Sequence, residues 1–162
     1  MDTRIRKITP FLWFDHQSQE AAEFYVSVFK NSKITGIAHY GEAGPGPKGS
    51  VMTVAFELEG HEFIALNGGP HFKFTEAISF VVNCETQREI DEFWQKLTAD
   101  GGQEVQCGWL KDKFGLSWQI VPAVLGQMMQ DKDPERSGRV AKALYQMKKL
   151  DLAALEEAYR QR

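Results

Sequence analysis

The chain has 162 residues, 43% hydrophobic and 25% charged, with a formal net charge of −3. That suits one domain, or two small intimately packed halves, with a buried core, and the slight acidity removes the electrostatic drive for nucleic-acid binding. No apolar run approaches the roughly 20 residues of a membrane span. The opening MDTRIRKITPFLWF lacks the apolar core and cleavage site of a signal peptide, and Cys84 and Cys107 form no CxxC pair, so a cytoplasmic protein with reduced thiols is expected.

Ile5 to Phe14, apolar and rich in β-branched and aromatic residues, reads as a strand. Ser18 is placed to cap a helix running to about Phe29, with Ala21, Phe24, Tyr25 and Val28 on one face. Ile34 to Tyr40 reads as a second strand. The following loop, GEAGPGPKG from Gly41 to Gly49, is a poor phosphate cradle, because Pro45 and Pro47 lack N–H donors and no helix start follows. Ser50 to Leu58 and His61 to Asn67 pattern as a hairpin around Glu59-Gly60.

Gly68-Gly69-Pro70 breaks the chain, and Ala77 to Cys84 is the next strand. Thr86-Gln87-Arg88-Glu89 is a capping box opening a helix that carries Ile90, Phe93, Trp94 and Leu97 inward and stops at Gly101-Gly102. Gln103 to Leu110 and Leu116 to Val121 read as strands joined around Asp112 to Gly115. Asp133-Pro134 starts another helix, with Val140, Leu144 and Met147 along one face. Asp151 caps a last one carrying Leu152, Leu155 and Tyr159.

Glu23-Phe24-Tyr25 and Glu92-Phe93-Trp94 lie 69 positions apart, and at that offset Phe11-Leu12-Trp13 lies opposite Phe80-Val81-Val82. Each half then offers β-α-β-β-β. The expected fold is α+β: two βαβββ modules, about 1–70 and 71–122, whose helices cover one face of a curved mixed sheet and whose other face lines a cup. Residues 123–162 form a helical extension. Alternation puts Ile78, Phe80 and Val82 on one face against Ser79 and Val81. It likewise puts Leu116, Trp118 and Ile120 against Ser117, Gln119 and Val121, and Phe63, Ala65 and Asn67 against Ile64 and Leu66. The large apolar sets suit packing under helices; the smaller, more polar sets suit the cup.

EFYVSVF (Glu23 to Phe29), ALNGGPHFKFTEAISFVVNC (Ala65 to Cys84) and CGWLKDKFGLSWQIVP (Cys107 to Pro122) resemble the PhnB-like branch of the vicinal-oxygen-chelate superfamily, which includes glyoxalase I, bleomycin-resistance proteins and extradiol dioxygenases. The tail from Asp133 to Tyr159 resembles that branch too. The branch often carries the label 3-demethylubiquinone-9 3-methyltransferase. The resemblance implies the glyoxalase/bleomycin-resistance/dioxygenase-like fold and places the superfamily's four metal-ligand positions at Pro10, near Ala65, near Ala77, and at Gln119. Proline and alanine offer a metal nothing, and an amide oxygen is a weak single ligand, so no metal is expected. No Gly-rich turn follows the first strand, and a βαβββ order is not the doubly wound sheet of ordinary S-adenosylmethionine enzymes, so no cofactor is expected either.

His16, His39, His61 and His71 are scattered without metal-site spacing and read as surface residues, His71 being flanked by Phe72 and Phe74 near the expected cup entrance. Trp109 suits either stacking on a planar ligand or filling core. Cys107, with no histidine near it in sequence, reads better as a small buried thiol than as a nucleophile, and Lys111 and Asp112 read as a solvated turn. The ligand-binding candidates are Asn67, His71, Phe72, Ser79, Cys107, Trp109, Ser117 and Gln119: a neutral, hydrogen-bonding lining for a small, partly apolar guest such as a carbonyl, quinone or amide compound. The alternative is a lyase or isomerase acting on a small carbonyl or quinone-like substrate. The expected partners are a small-molecule ligand and a second copy of the chain in a homodimer, with no nucleic acid and no membrane.

Overall fold

In the computed structural model, which describes residues 5–161, the chain divides into two compact units that meet in sequence at Phe74 and Thr75. The first runs β1 (Phe11–Phe14), α1 (Ser18–Val28), β2 (Lys33–His39), β3 (Val51–Leu58) and β4 (His61–Asn67). The second runs β5 (Ser79–Cys84), α2 (Gln87–Thr98), a 3-10 turn at Ala99–Gly101, β6 (Gln103–Glu104), β7 (Trp109–Lys111) and β8 (Ser117–Pro122). It continues through α3 (Leu125–Met129), α4 (Pro134–Leu144) and α5 (Leu152–Arg160).

The sheet orders, β1-β4-β3-β2 and β5-β8-β7-β6, are the same order written twice. In each unit the first strand lies parallel to the last, Leu12 beside Ala65 and Val82 beside Ile120, and every other pair is antiparallel. A parallel pair needs a crossover rather than a tight turn, and α1 or α2 begins each one. α1 packs on β3 and β4, and α2 on β7 and β8. The helix side of the first sheet buries Leu12, Phe14, Val54, Phe56, Phe63 and Ala65, with Tyr25, Phe56 and Phe63 stacked in a row at centroid spacings of 6.1 and 5.5 Å. That of the second buries Cys84, Leu110, Trp118 and Ile120, and α2 contributes Ile90, Trp94 and Leu97.

The repeat has a one-residue slip. On the helices Tyr25 corresponds to Trp94 at the 69-residue offset, but the helix-side strand positions Leu12 and Phe14 correspond to Val82 and Cys84, an offset of 70. Val81, opposite Leu12 in the sequence repeat, is instead 49% exposed and faces away from α2. One residue fewer joins strand to helix in the second unit, and a single slip reverses every side chain of a strand.

Several boundaries differ from the sequence pattern. β1 begins only at Phe11, and Ile5 and Ile8 are exposed. Ala77 and Ile78 precede β5, with Ile78 70% exposed rather than under α2. Gln103 to Leu110 is not one strand but β6 and β7 split by a turn at Cys107 and Gly108, whose φ angles are +61° and +84°. Ser18 does not cap α1. Its backbone N–H is capped by the side chain of Asn67, 2.8 Å away, and its own buried hydroxyl has no protein partner. The local caps on the later helices match the sequence reading: Thr86 accepts from Glu89 N, Asp133 from Glu135 N and Asp151 from Ala154 N. The Glu89 carboxylate reaches back to the Glu85 N–H, one residue beyond the usual box partner.

Asp112 is no solvated turn residue. It is 2% exposed, and its carboxylate accepts from the backbone N–H of Phe114 and Leu116 and, at 2.9 Å, from the indole N–H of Trp118. It therefore clamps the β7–β8 turn to the strand that carries Ser117 and Gln119. Asp112→Ala, which orphans those three donors, is expected to cost about 3 kcal/mol of unfolding free energy, with Asp112→Asn costing less because one acceptor oxygen survives. Urea denaturation followed by tryptophan fluorescence checks both.

Candidate functional site

The second sheet brings four of the sequence candidates onto one face. β5 and β8 pair Ser79 with Ser117; β7 and β8 pair Trp109 with Gln119 and Lys111 with Ser117. Cross-strand partners share a face, so Ser79, Trp109, Lys111, Ser117 and Gln119 all lie on the side away from α2. The Gln119 amide donates to Ser79 Oγ at 2.9 Å. Ser117 is 1% exposed, and its hydroxyl has no protein partner. Lys111 pairs with Glu76, just ahead of β5. That ammonium, hydrogen-bonded to the Glu76 carboxyl, holds it below the usual carboxylate range. The pair therefore persists at neutral pH and breaks only as pH falls through the lowered Glu76 value.

Cys107 is two residues from Trp109 but belongs to the support of this face. Its N–H donates to Met147 O and that of Gly108 to Lys148 O, each at 2.8 Å. A Cβ on Gly108 would come within 3.0 Å of Ile120 O and the Leu150 side chain. The segment between α4 and α5 thus grips the turn that delivers Trp109. The apolar cluster of the C-terminal tail (Met128, Val140, Leu150 and Leu155) also packs on Val121, at the end of β8. The grip extends to α2, where the Gln87 side chain accepts from Leu152 N and donates to Leu150 O, and Lys149 pairs with Asp91 at 2.7 Å.

The other three candidates lie in the first unit. Asn67 is on the helix side, its side-chain amide accepting from Ser18 N and donating to Val51 O while its backbone carbonyl accepts from the Tyr40 hydroxyl; it ties α1 to the sheet and points away from the apolar face formed by Phe11, Trp13, Ile64 and Leu66. His71 and Phe72 lie in the loop after β4, both exposed. Phe72 sets its ring edge-on to Trp13 at 4.9 Å, and the Trp13 indole donates to Gly69 O. A Cβ at Gly68 would sit 2.3 Å from that indole, so glycine permits the loop to lie on the ring. Lys111 is no solvated turn residue either but the last residue of β7, paired with Glu76, which the sequence reading passed over. Lys111 is two positions after Trp109, which puts it on the same face once Trp109 is in a strand.

The positions that the resemblance assigns to metal ligands do not fit a metal here. Pro10 carries no donor side chain, Ala65 is buried on the helix side of β4 and its neighbours Ile64 and Leu66 are apolar, Glu76 beside Ala77 is paired with Lys111, and the Gln119 amide is engaged with Ser79. Among the described residues no three His, Cys, Asp or Glu side chains form a metal-binding group. A methyl-donor nucleotide fits no better, because both sheets have mixed βαβββ topology and Asp15-His16-Gln17, not a glycine turn, joins β1 to α1. No helix among the described residues is long and apolar enough to cross a membrane.

Two units of this βαβββ order define the glyoxalase/bleomycin-resistance fold class. Within that class it belongs to the family described as 3-demethylubiquinone-9 3-methyltransferase, whose model matches residues 6–121 and so ends before the three C-terminal helices. The chain is 41% identical to the PhnB protein of Bacillus cereus, which bears the same methyltransferase label, over 73% of this chain and all of that one, with a TM-score of 0.66. A Pseudomonas aeruginosa protein of solved structure is 17% identical over 72% of this chain and 96% of its own, with a TM-score of 0.59. The fosfomycin resistance protein FosX of Listeria monocytogenes is 12% identical over 81% of this chain and all of its own, with a TM-score of 0.50. These two show the shared fold. No curated protein matches the chain.

Two measurements check the electrostatics of the second unit, one at the site and one in the core behind it. In Lys111→Met the Glu76 carboxyl is expected to titrate higher, back toward the ordinary glutamate range, in a carbon-detected NMR titration. Burial, reinforced by the Glu89 carboxylate, pushes the Cys84 thiol up to about 12. Iodoacetamide at about pH 8, where such a thiol is almost wholly protonated, should leave Cys84 unmodified in the native protein and alkylate it after unfolding in guanidinium, as peptide mass mapping would report.

Proposed function

We propose that the protein binds a small, partly apolar molecule on the face of the second sheet away from α2. The observation that carries this reading is the gathering of Ser79, Ser117 and Gln119 beside Trp109, with a buried Ser117 hydroxyl that no protein group satisfies. An unpaired buried hydroxyl costs about 1–3 kcal/mol, and a guest oxygen recovers that cost. Trp109 supplies an aromatic wall for the guest's apolar body, and Ser79 and Gln119 orient its polar end. This is the usual composition of a small-molecule site: mostly apolar, with a few placed hydrogen-bonding groups.

The same reading takes a second copy of the chain as partner. Ile5, Ile8, Phe11 and Phe72 of the first unit are 94%, 89%, 55% and 65% exposed, an apolar surface of the kind that subunit contacts cover. The two cysteines are free thiols, in keeping with a cytoplasmic setting.

A thermal-shift screen of quinones, planar aromatic amides and aromatic acids is expected to yield a compound that raises Tm. Saturation at about 100 times Kd adds about 2.7 kcal/mol of stability. Amide chemical shifts should then move at Ser79, Trp109, Ser117 and Gln119 and stay fixed in α1. Silence across the library, or shifts confined to the first unit, would overturn the proposal. Light scattering during gel filtration, with a dimer mass expected, checks the partner.

A further inference from the structure

The charged residues beside this face have a consequence for what the guest carries. Lys111 is the cross-strand neighbour of Ser117, which typically sets their Cβ atoms about 5 Å apart. Its side chain is 30% exposed, whereas that of its counter-ion, Glu76, is 55% exposed and lies in the turn before β5 rather than in a strand. Lys111 thus stands in the sheet wall, and Glu76, the more exposed partner, is the easier of the two to turn out to solvent. An ion pair with a partner this exposed is worth little, of the order of 0–1 kcal/mol, so another anion displaces it cheaply.

We infer that the guest bears a carboxylate, which replaces that of Glu76 on Lys111 and accepts a hydrogen bond from the Ser117 hydroxyl, while its apolar body lies toward Trp109. This rests on the small-molecule reading above and names the chemical class that the reading leaves open. Glu76 is then an internal stand-in for the guest. It holds the ammonium when the site is free and swings to solvent when the site is filled. The donor set favours a singly charged, two-oxygen group. One ammonium and one hydroxyl satisfy a carboxylate, while a phosphate or phosphonate dianion would ask for more donors than these, usually an arginine fork, and no arginine occurs between Arg88 and Arg136.

The test uses the full-length protein with 1-naphthoate and its neutral isostere 1-naphthamide, each titrated by calorimetry. Naphthoate is expected to bind at least about tenfold more tightly than naphthamide, as one charge-assisted hydrogen bond provides. Glu76→Gln removes the competitor and should tighten naphthoate about fivefold while leaving naphthamide unchanged. Lys111→Met and Ser117→Ala should weaken naphthoate. In the wild type, saturation with naphthoate should raise the titration midpoint of the Glu76 carboxyl, a change that a purely structural ion pair would not show. Equal binding of the two compounds, or weaker naphthoate binding by Glu76→Gln, would overturn the carboxylate inference and leave the small-molecule reading standing. Binding of neither compound at millimolar concentration, by wild type and Glu76→Gln alike, would overturn both.

Discussion

The parallel pairing of each unit's first strand with its last is the constraint from which the rest follows. Leu12 beside Ala65 and Val82 beside Ile120 put the two ends of each module next to each other in the sheet. The connection must therefore cross over, and the helix that begins the crossover takes one face of the sheet. That face becomes core. The opposite face keeps whatever side chains the alternate positions supply. Packing thus fixes half of every strand and leaves the other half available for chemistry.

The second unit adds a further constraint from outside the repeat. A turn with two consecutive left-handed residues, one of them Cys107, is costly for a non-glycine side chain, and the backbone carbonyls of Met147 and Lys148 hold it in place. The tail is anchored in turn by Gln87 at the start of α2 and by its own apolar cluster. The C-terminal tail, beyond the region the family model matches, therefore acts on the site indirectly: it fixes the turn, the turn fixes Trp109, and Trp109 borders Gln119. On the other side of Ser117, Asp112 does the same work through Trp118 and the backbone at Leu116.

The features legible in the sequence are those that nearby residues decide. Thr86, Asp133 and Asp151 cap helices within three positions of themselves, and the hairpin at Glu59-Gly60 follows from two residues that take positive φ, +49° and +82°. The repeat was visible because the helix residues Tyr25 and Trp94 occupy the same buried place. Asn67 was misread because its function is set by Ser18, 49 positions away; alternation showed a polar residue in a strand but not that a helix end was waiting above it. Asp112 was misread for a similar reason, since a carboxylate in a turn looks solvated until the indole of Trp118 is brought down on it. Alternation put Ser79, Ser117 and Gln119 on the faces away from the helices, but the β5–β8 pairing that sets Ser79 beside Ser117 came only with the fold.

The divergence between the two modules explains why one face is a better site than the other. The first sheet's helix-free face carries Phe11, Trp13, Ile64 and Leu66, whose natural interaction is burial by more apolar surface. At the matching positions of the second sheet stand Val81, Asn83, Gln119 and Val121, and one layer before them the pair Ser79 and Ser117. The helix sides of the two units are alike in kind, with Tyr25 stacked on Phe56 in one and Ile90, Trp94, Trp118 and Ile120 buried in the other. The outer faces, which no helix covers, differ: one is apolar, and the other also holds the hydrogen-bonding groups of Ser79, Ser117 and Gln119. An unpaired buried serine hydroxyl costs free energy at Ser18 as at Ser117, but only Ser117 has a cation beside it, since among the residues of the second face Lys111 alone brings a charge.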